Sequence, residues 1–478
     1  MTSSRNPRLL VVVPNGITGD SRVQKSAQSA ARAGWEVTLM GTAGRRPTSV
    51  TSMGNVRVVR QQMTRKHHDA FEAANADRSA PLPRRVRVIA RSARSALRAK
   101  GPLPKRLRHA LGATARGLRH LLSPKRPAAV DSANWRKSWP VLLDWQESFA
   151  PVIAELAPDV IHSNDAIMLG TCSEAVKLIR AAGGTVGWLH DIHEYVSGVN
   201  WGSPEIDAAY RAFEREYIHD PDLLATVSPE LADLLVSEYD LPSTPVVVRN
   251  TPISDIDYQG AGLRTVIGVD PGVPLLVSCG SIQPARGIQF VISALPQLPQ
   301  VHLAIVTNAT AQTPALQTLL DLAREVGVSD RVHTAPYVEP HYVPSYLSSA
   351  DIGVFAGIKT ANHEISLPTK FAEYLHARLP ILTSDLRVCG AFVLKHGIGA
   401  VFEPSDPEAL AVAVRTMLDD LANMRAAIAP DLLDELSWDR QAETFLSSYT
   451  DLSGLTPRPQ ADDADWTFSE SELAGGGR

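Results

Sequence analysis

The sequence predicts an α/β protein made of two doubly wound parallel-sheet domains. Three observations carry this expectation. The 478 residues exceed what one hydrophobic core usually holds, buried-strand and helix patterns alternate through the first half, and the alternation restarts at about Pro271. The expected boundaries are 1–251 for the first domain, 252–430 for the second, 431–452 for a terminal helix and 453–478 for a structureless, partly acidic tail. Hydrophobic content of 44%, charged content of 21% and a formal charge of −4 are ordinary for a soluble globular chain. Cys172, Cys279 and Cys389 are odd in number, far apart and in apolar or turn settings. They fit buried thiols in a reducing cytoplasm, and neither a disulfide framework nor a zinc site. No run approaches 18 apolar residues, and residues 1–8 lead straight into a strand without a cleavable hydrophobic segment, so a cytoplasmic location is expected.

In the first half, residues 9–13 (LLVVV) form a continuous apolar, β-branched run. The loop 14–20 (PNGITGD) follows, then a helical stretch over 21–33 that Gly34 ends, then a strand over 36–40. This strand, helix, strand unit collects ligands at the carboxyl ends of its strands. Gly16 and Gly19 are too few and wrongly spaced for the GxGxxG dinucleotide fingerprint. They suit either close backbone approach to a substrate or a plain tight turn with Asp20 capping the helix. Further strands are expected at 158–162, 186–189, 223–228 and 245–249, with helices over 167–182 and 229–239. Residues 190–194 (HDIHE) place two imidazoles and two carboxylates where such a sheet exposes active-site groups. The histidines are three apart and lack the HExxH arrangement, which argues against a metal site. A sugar-binding loop, a general acid or base, and a structural histidine are all consistent with His193.

Between the early and later strands lies an insertion, about 61–134, that a minimal doubly wound sheet does not need. Residues 84–126 hold fourteen Lys or Arg and no Asp or Glu. Val86, Ile89, Ala93 and Leu97 fall on one helical face against Arg87, Arg91, Arg94 and Arg98, and Leu107, Leu111, Leu118 and Leu122 oppose Arg108, Arg116 and Arg119. Such a basic amphipathic pair suits the surface of an anionic membrane or the phosphate of a lipid-linked substrate. A solvated hairpin packed on the domain fits the same pattern, whereas the lack of aromatic stacking residues argues against nucleic acid.

In the second half, strands are expected at 274–279, 301–306, 331–334, 351–355, 380–383 and 399–402. The first runs into residues 280–287 (GSIQPARG) and a helix over 288–295, so a glycine turn, a helix N-terminus and Arg286 converge as an anion site. Residues 363–380 repeat that chemistry. Ser366 suits an N-cap, Pro368 a first helical position, and Lys370 and Glu373 lie three apart on neighbouring faces. Lys370 with the helix dipole suits a phosphate, and Glu373 a ribose diol. A core-packing helix with a surface Lys/Glu pair is the plainer reading of the same residues.

Taken in order, DSRVQK, AGWEVTL, PDVIHSND, DIHEY, TVSPEL, VVVRNTP, GSIQPARGI, SLPTKFAEYLHARLPIL, DPEAL and LSWDRQAETF make the chain resemble the GT-B fold retaining glycosyltransferases of family 4, the glycosyl transferases group 1. The resemblance implies two Rossmann-like domains facing across a cleft, with the terminal helix near residues 438–449 crossing back to the first. It implies a nucleoside-diphosphate sugar as donor, an acceptor hydroxyl whose identity it leaves open, and no metal or other cofactor. Arg286 and Lys370 would contact the diphosphate, with Gly280 at the turn and Ser366 and Leu367 beside it, and Glu373 would hold the ribose. Tyr337 and Val338 would receive the base. Glu364 and His193 would meet the transferred sugar, and Gly16 and Gly19 would approach the donor from across the cleft. In this resemblance His193, Arg286 and Lys370 are the catalytic residues. Two positions depart from the family pattern. The acid nearest to eight before Glu373 is Glu364, nine before, and Ser281 stands where many relatives have Arg. A same-fold phosphorylase or epimerase, and a non-catalytic glycan- or lipid-binding protein, are the alternatives these departures leave.

Overall fold

The computed structural model describes residues 5–76, 134–253, 257–458, 466 and 470–472. The basic stretch 84–126 lies outside the described residues.

Strand β1 (Arg8–Val12) is buried on both faces, as its unbroken apolar run requires. Leu9 and Val11 point into one core cluster and Leu10 and Val12 into another, so one five-residue strand serves both layers. Around it assemble β2 (Glu36–Gly44), β3 (Ser49–Met53), β4 (Val56–Gln62), β5 (Val160–Asn164), β6 (Gly187–Ile192), β7 (Leu223–Thr226) and β8 (Val246–Val247), in the order β3-β4-β2-β1-β5-β6-β7-β8. All these pairs are parallel except β3 with β4. The order reverses at β1, between β2 and β5, which places ligands near the carboxyl end of β1.

The second sheet is wholly parallel. Its strands are β9 (Leu275–Cys279), β10 (His302–Thr307), β11 (Val332–Pro336), β12 (Ile352–Phe355), β13 (Ile381–Ser384) and β14 (Gly399–Phe402), in the order β11-β10-β9-β12-β13-β14. Leu275 and Val277 face one core and Leu276 the other, repeating the division seen at β1. The reversal at β9 brings the loop 280–287 to the equivalent position in this domain. Cys172, Cys279 and Cys389 are buried free thiols, as their contexts predict.

The last long helix, Trp438–Ser453, does not stay with the second domain. Trp438, Phe445 and Tyr449 complete the core beneath β1 and β2. The Trp438 indole donates to Ser29 Oγ at 3.0 Å, and the Tyr449 hydroxyl lies 2.6 Å from His162 Nδ1 in β5. The chain therefore crosses between domains twice.

Three expectations are corrected. The insertion begins later than residue 61: Gln61 and Gln62 extend β4, and Lys66–Ala76 is a helix. That helix is held by Asp144, whose carboxylate accepts from His67 N at 3.0 Å and His68 N at 2.8 Å. The β3–β4 hairpin was missed because residues 49–53 carry polar side chains at the sheet edge. Secondly, the strand expected over 245–249 is only the two-residue β8. Thirdly, the tail is not structureless throughout: β15 (Ser471–Glu472) pairs antiparallel with β3, Trp466 lies under Arg32, and Glu470 grips Arg60.

Because Trp438 is fully buried, we expect Trp438→Ala to destabilise the protein by about 3–5 kcal/mol. Urea unfolding of the two proteins measures this, and an unchanged midpoint would mean that the helix is not part of the first core.

Candidate active site

A cavity of about 730 Å³ opens between the two carboxyl-end faces. The first domain contributes Thr18, Gly19, Ser21 and Gln24, and the second Gly280, Ser281, Arg286, Tyr337, Val338 and Lys370. Its floor follows from local backbone chemistry. Gly280 leaves β9 at φ 126° and comes so near the helix Thr369–His376 that a Cβ there would sit 3.1 Å from Lys370 Cε. Gly287 (φ 72°) turns the chain into the helix Ile288–Ala294, and a Cβ there would meet the Ala356 carbonyl oxygen at 1.8 Å. These close approaches bring Arg286 and Lys370 to one wall.

Lys370 Nζ donates to Glu373 Oε2 at 2.7 Å, lies 5.2 Å from the centre of the Tyr337 ring and reaches the Tyr337 hydroxyl at 3.5 Å. Burial works against the ammonium, but the Glu373 carboxylate outweighs it and raises the Lys370 pKa, so the residue is a permanent cation. Burial first, and then Glu373, pushes the Tyr337 phenol up to about 12, keeping it a neutral donor.

Across the cavity, the loop 14–20 is fixed by its own side chains. Asn15 Oδ1 accepts from Ile17 N at 2.7 Å and Asn15 Nδ2 donates to Asp20 Oδ2 at 2.8 Å, while Asp20 Oδ1 caps the helix Ser21–Arg32 through Val23 N. The Gly16 carbonyl does not face the cavity but accepts from Arg60 Nε at 3.2 Å.

His193 stands at the rim of a second cavity, of about 260 Å³, with Pro14, Asn15, Asp165, Glu194 and Trp201. Its Nε2 lies 3.0 Å from Asp191 Oδ2 and its Nδ1 3.3 Å from Asp165 Oδ1. Burial opposes its charge, but the two carboxylates prevail and raise its pKa to about 10. Both ring nitrogens therefore face carboxylates, an arrangement that favours the charged imidazolium. Asp191 is itself fully buried and paired with Arg22, whose Nε and Nη2 donate at 2.7 and 2.9 Å. The HDIHE nitrogens are thus engaged with protein partners or buried. The described residues that could share a metal, His68, Asp69 and Glu72, lie on the helix Lys66–Ala76, outside both cavities.

The structure brings Gly19, Gly280, Arg286, Tyr337, Val338 and Lys370 together. It separates the remaining candidates. Glu373 lies behind Lys370, only 4% exposed, where Lys25 and Thr369 of a small neighbouring crevice surround it. Ser366 does not cap the helix: its hydroxyl donates to the Asn362 carbonyl at 2.7 Å, and the helix starts at Thr369 after an extended Pro368. Leu367 lines a cavity on the other side, with Arg249, Arg387 and Phe392. Glu364 sits in the short helix Ala361–Ile365 and accepts from Arg387 N at 3.3 Å, while its other oxygen is buried without a partner. Thr307 and Asn308 were missed as cavity residues. Their signal was their position directly at the carboxyl end of β10.

Comparison with known proteins agrees with this geometry. The family model described as Glycosyltransferase Family 4 matches residues 22–255, and the one described as Glycosyl transferases group 1 matches residues 273–420. A D-inositol 3-phosphate glycosyltransferase of Xylanimonas cellulosilytica is 26% identical over 256 residues, which cover 51% of this chain and 60% of that protein. A glycogen synthase of Mycobacterium tuberculosis is 25% identical over 297 residues, covering 61% of this chain and 68% of that one. Among solved structures, sucrose-phosphate synthase from Thermosynechococcus elongatus superposes with a TM-score of 0.65 at 16% identity, covering 94% of this chain and 99% of that one. An α,α-trehalose-phosphate synthase from Burkholderia xenovorans in complex with glucose-6-phosphate gives a TM-score of 0.59 at 13% identity, covering 93% and 100%. These structures share the GT-B architecture. With one match on each domain, the chain belongs to the family 4, group 1 glycosyltransferases.

Proposed function

We propose that this protein transfers a sugar from a nucleoside diphosphate to an acceptor hydroxyl, with retention at the anomeric carbon. The observation that carries the reading is the convergence of Arg286, Lys370 and the Tyr337 ring on one interdomain cavity. Arg286 and Lys370 neutralise the diphosphate as it departs, Tyr337 and Val338 take the base, and Thr18, Gly19 and Ser21 close the site from the first domain. Glu373, buried behind Lys370, holds that ammonium at the cavity wall through its 2.7 Å contact. Glu339, next to Val338 in sequence, is the only carboxylate among the described cavity residues. The departing diphosphate therefore takes the acceptor proton, and the protein supplies position and charge. His193 acts as a fixed charge beside the transferred sugar. Two cations already at the phosphates fill the part a metal would play. The names of the relatives offer phosphorylated polyols as one acceptor class. We place the reaction in the cytoplasm, with residues 84–126 as a contact to anionic membrane; among the described residues, no helix is long and apolar enough to cross a membrane.

Three outcomes test this reading. Turnover of a nucleoside-diphosphate sugar is expected to survive EDTA, and its abolition by the chelator would overturn the metal-free assignment. Lys370→Met and Arg286→Ala should each lower kcat/KM for the donor by about tenfold or more, read from release of the nucleoside diphosphate. His193→Gln should lose stability in a pH-dependent way. The raised pKa makes the contribution of His193 full below its ordinary 6.5 and progressively lost toward about 10. The deficit of the variant should therefore be largest near pH 6 and shrink toward pH 10, and a deficit that is flat or grows would remove the charged pair from the account.

A further inference from the structure

We propose that the acceptor is an uncharged polyhydroxy compound, a sugar or polyol bearing no phosphate at the end that enters the protein, and that it sits in the cavity beside His193. This rests on the transferase reading and departs from the inositol 3-phosphate in the name of one relative.

The first support is position. The loop 14–20 lines both cavities, Thr18 and Gly19 on the donor side and Pro14 and Asn15 on the other. A ligand in the second cavity therefore lies one loop away from the donor, at the carboxyl ends of β1, β5 and β6.

The second is charge. The walls carry the carboxylates of Asp165 and Glu194, and no Lys or Arg is among the described residues that form them. The one cation there, His193, is already matched by Asp191 and Asp165. Arg22, the nearest guanidinium in this network, is committed to Asp191 in a two-point contact. The helix Asp165–Ala181 begins at the cavity, and its N-terminal dipole would favour an anion, but the Asp165 carboxylate already meets it. A phosphate entering here would face two carboxylates without a counter-ion. Hydroxyl groups, by contrast, are what two carboxylates accept from.

The third is shape. Trp201 is stacked on Tyr210 with ring centres 3.9 Å apart and planes at 17°, a rigid aromatic wall for the apolar face of a sugar ring. Burial holds the Glu194 pKa above its ordinary value, as expected of an acid enclosed in this wall with Asp165 nearby.

The test uses the full chain with a panel of nucleoside-diphosphate sugars that varies both base and sugar, measuring donor binding by calorimetry, slow donor hydrolysis without acceptor, and transfer to paired acceptors. The pairs are glucose with glucose 6-phosphate, and myo-inositol with inositol 3-phosphate. The neutral member of at least one pair is expected to accelerate nucleoside diphosphate release with kcat/KM at least about tenfold above its phosphate. Glu194→Gln should narrow that gap by raising transfer to the phosphate while donor binding stays unchanged. If donor binds and the phosphorylated members are as good or better, the acceptor inference is overturned and the transferase reading stands. If neither member of any pair is used although donor is bound and hydrolysed, the inference also falls. If no donor binds, both fall together.

Discussion

Asp191 is the constraint on which the arrangement of the first domain depends. A fully buried carboxylate costs several kcal/mol to desolvate unless its charge and lone pairs are met. Here they are met by Arg22 from the helix after the glycine-containing loop and by His193 from the loop after β6. His162 of β5 lies 3.5 Å away and is hydrogen-bonded in turn to Tyr449 of the returning helix. One acid thus ties down the helix Ser21–Arg32 through Arg22, the orientation of His193, and the seat of the terminal helix. The ring of Phe445, 5.3 Å from the Arg22 guanidinium, seals the group from water. Removing any member would leave a buried charge uncompensated, which makes the cluster a single unit rather than a set of independent contacts.

The second domain solves a different problem with backbone. Its cations are held at the cavity wall by glycines that let chain segments approach closely, Gly280 against Lys370 and Gly287 against Ala356. Rigid acid clusters on one side and tight glycine turns on the other produce two surfaces that need little reorganisation when a charged ligand arrives between them.

Much of this was legible in the sequence. The strands were readable because a doubly wound sheet buries both faces of its central strands, so residues 9–13 and 274–277 are continuous apolar runs. The placement of Gly280, Arg286 and Lys370 on one cavity was readable because each follows a strand end or opens a helix on the carboxyl side of the sheet. What was not legible has physical reasons. The β3–β4 hairpin lies at the sheet edge, where polar side chains are tolerated and periodicity fades. Ser366 looks like a cap, yet its hydroxyl closes the preceding short helix, a choice between two neighbouring helices that local chemistry does not decide. Glu373 and Lys370 are adjacent on the helix, but which of them faces the cavity depends on how that helix is rotated against β12 and β13, a property of packing. Asp191 and His193 stand in the legible HDIHE stretch, but Arg22 and, through His162, Tyr449 join them from more than a hundred positions away, and no local pattern announces those pairings.

The return of the helix Trp438–Ser453 to the first core has a consequence for how the protein comes into being. Chains emerging from the ribosome tend to fold domain by domain from the N-terminus. Here the first domain leaves a hydrophobic slot beneath β1 and β2 that Trp438, Ala442, Phe445 and Tyr449 help fill, and those residues are made after the second domain is complete. During synthesis the slot and the buried acid cluster beside it stay open to water. The last helix then acts as a latch, so that the cleft takes its final geometry only once both of its halves exist.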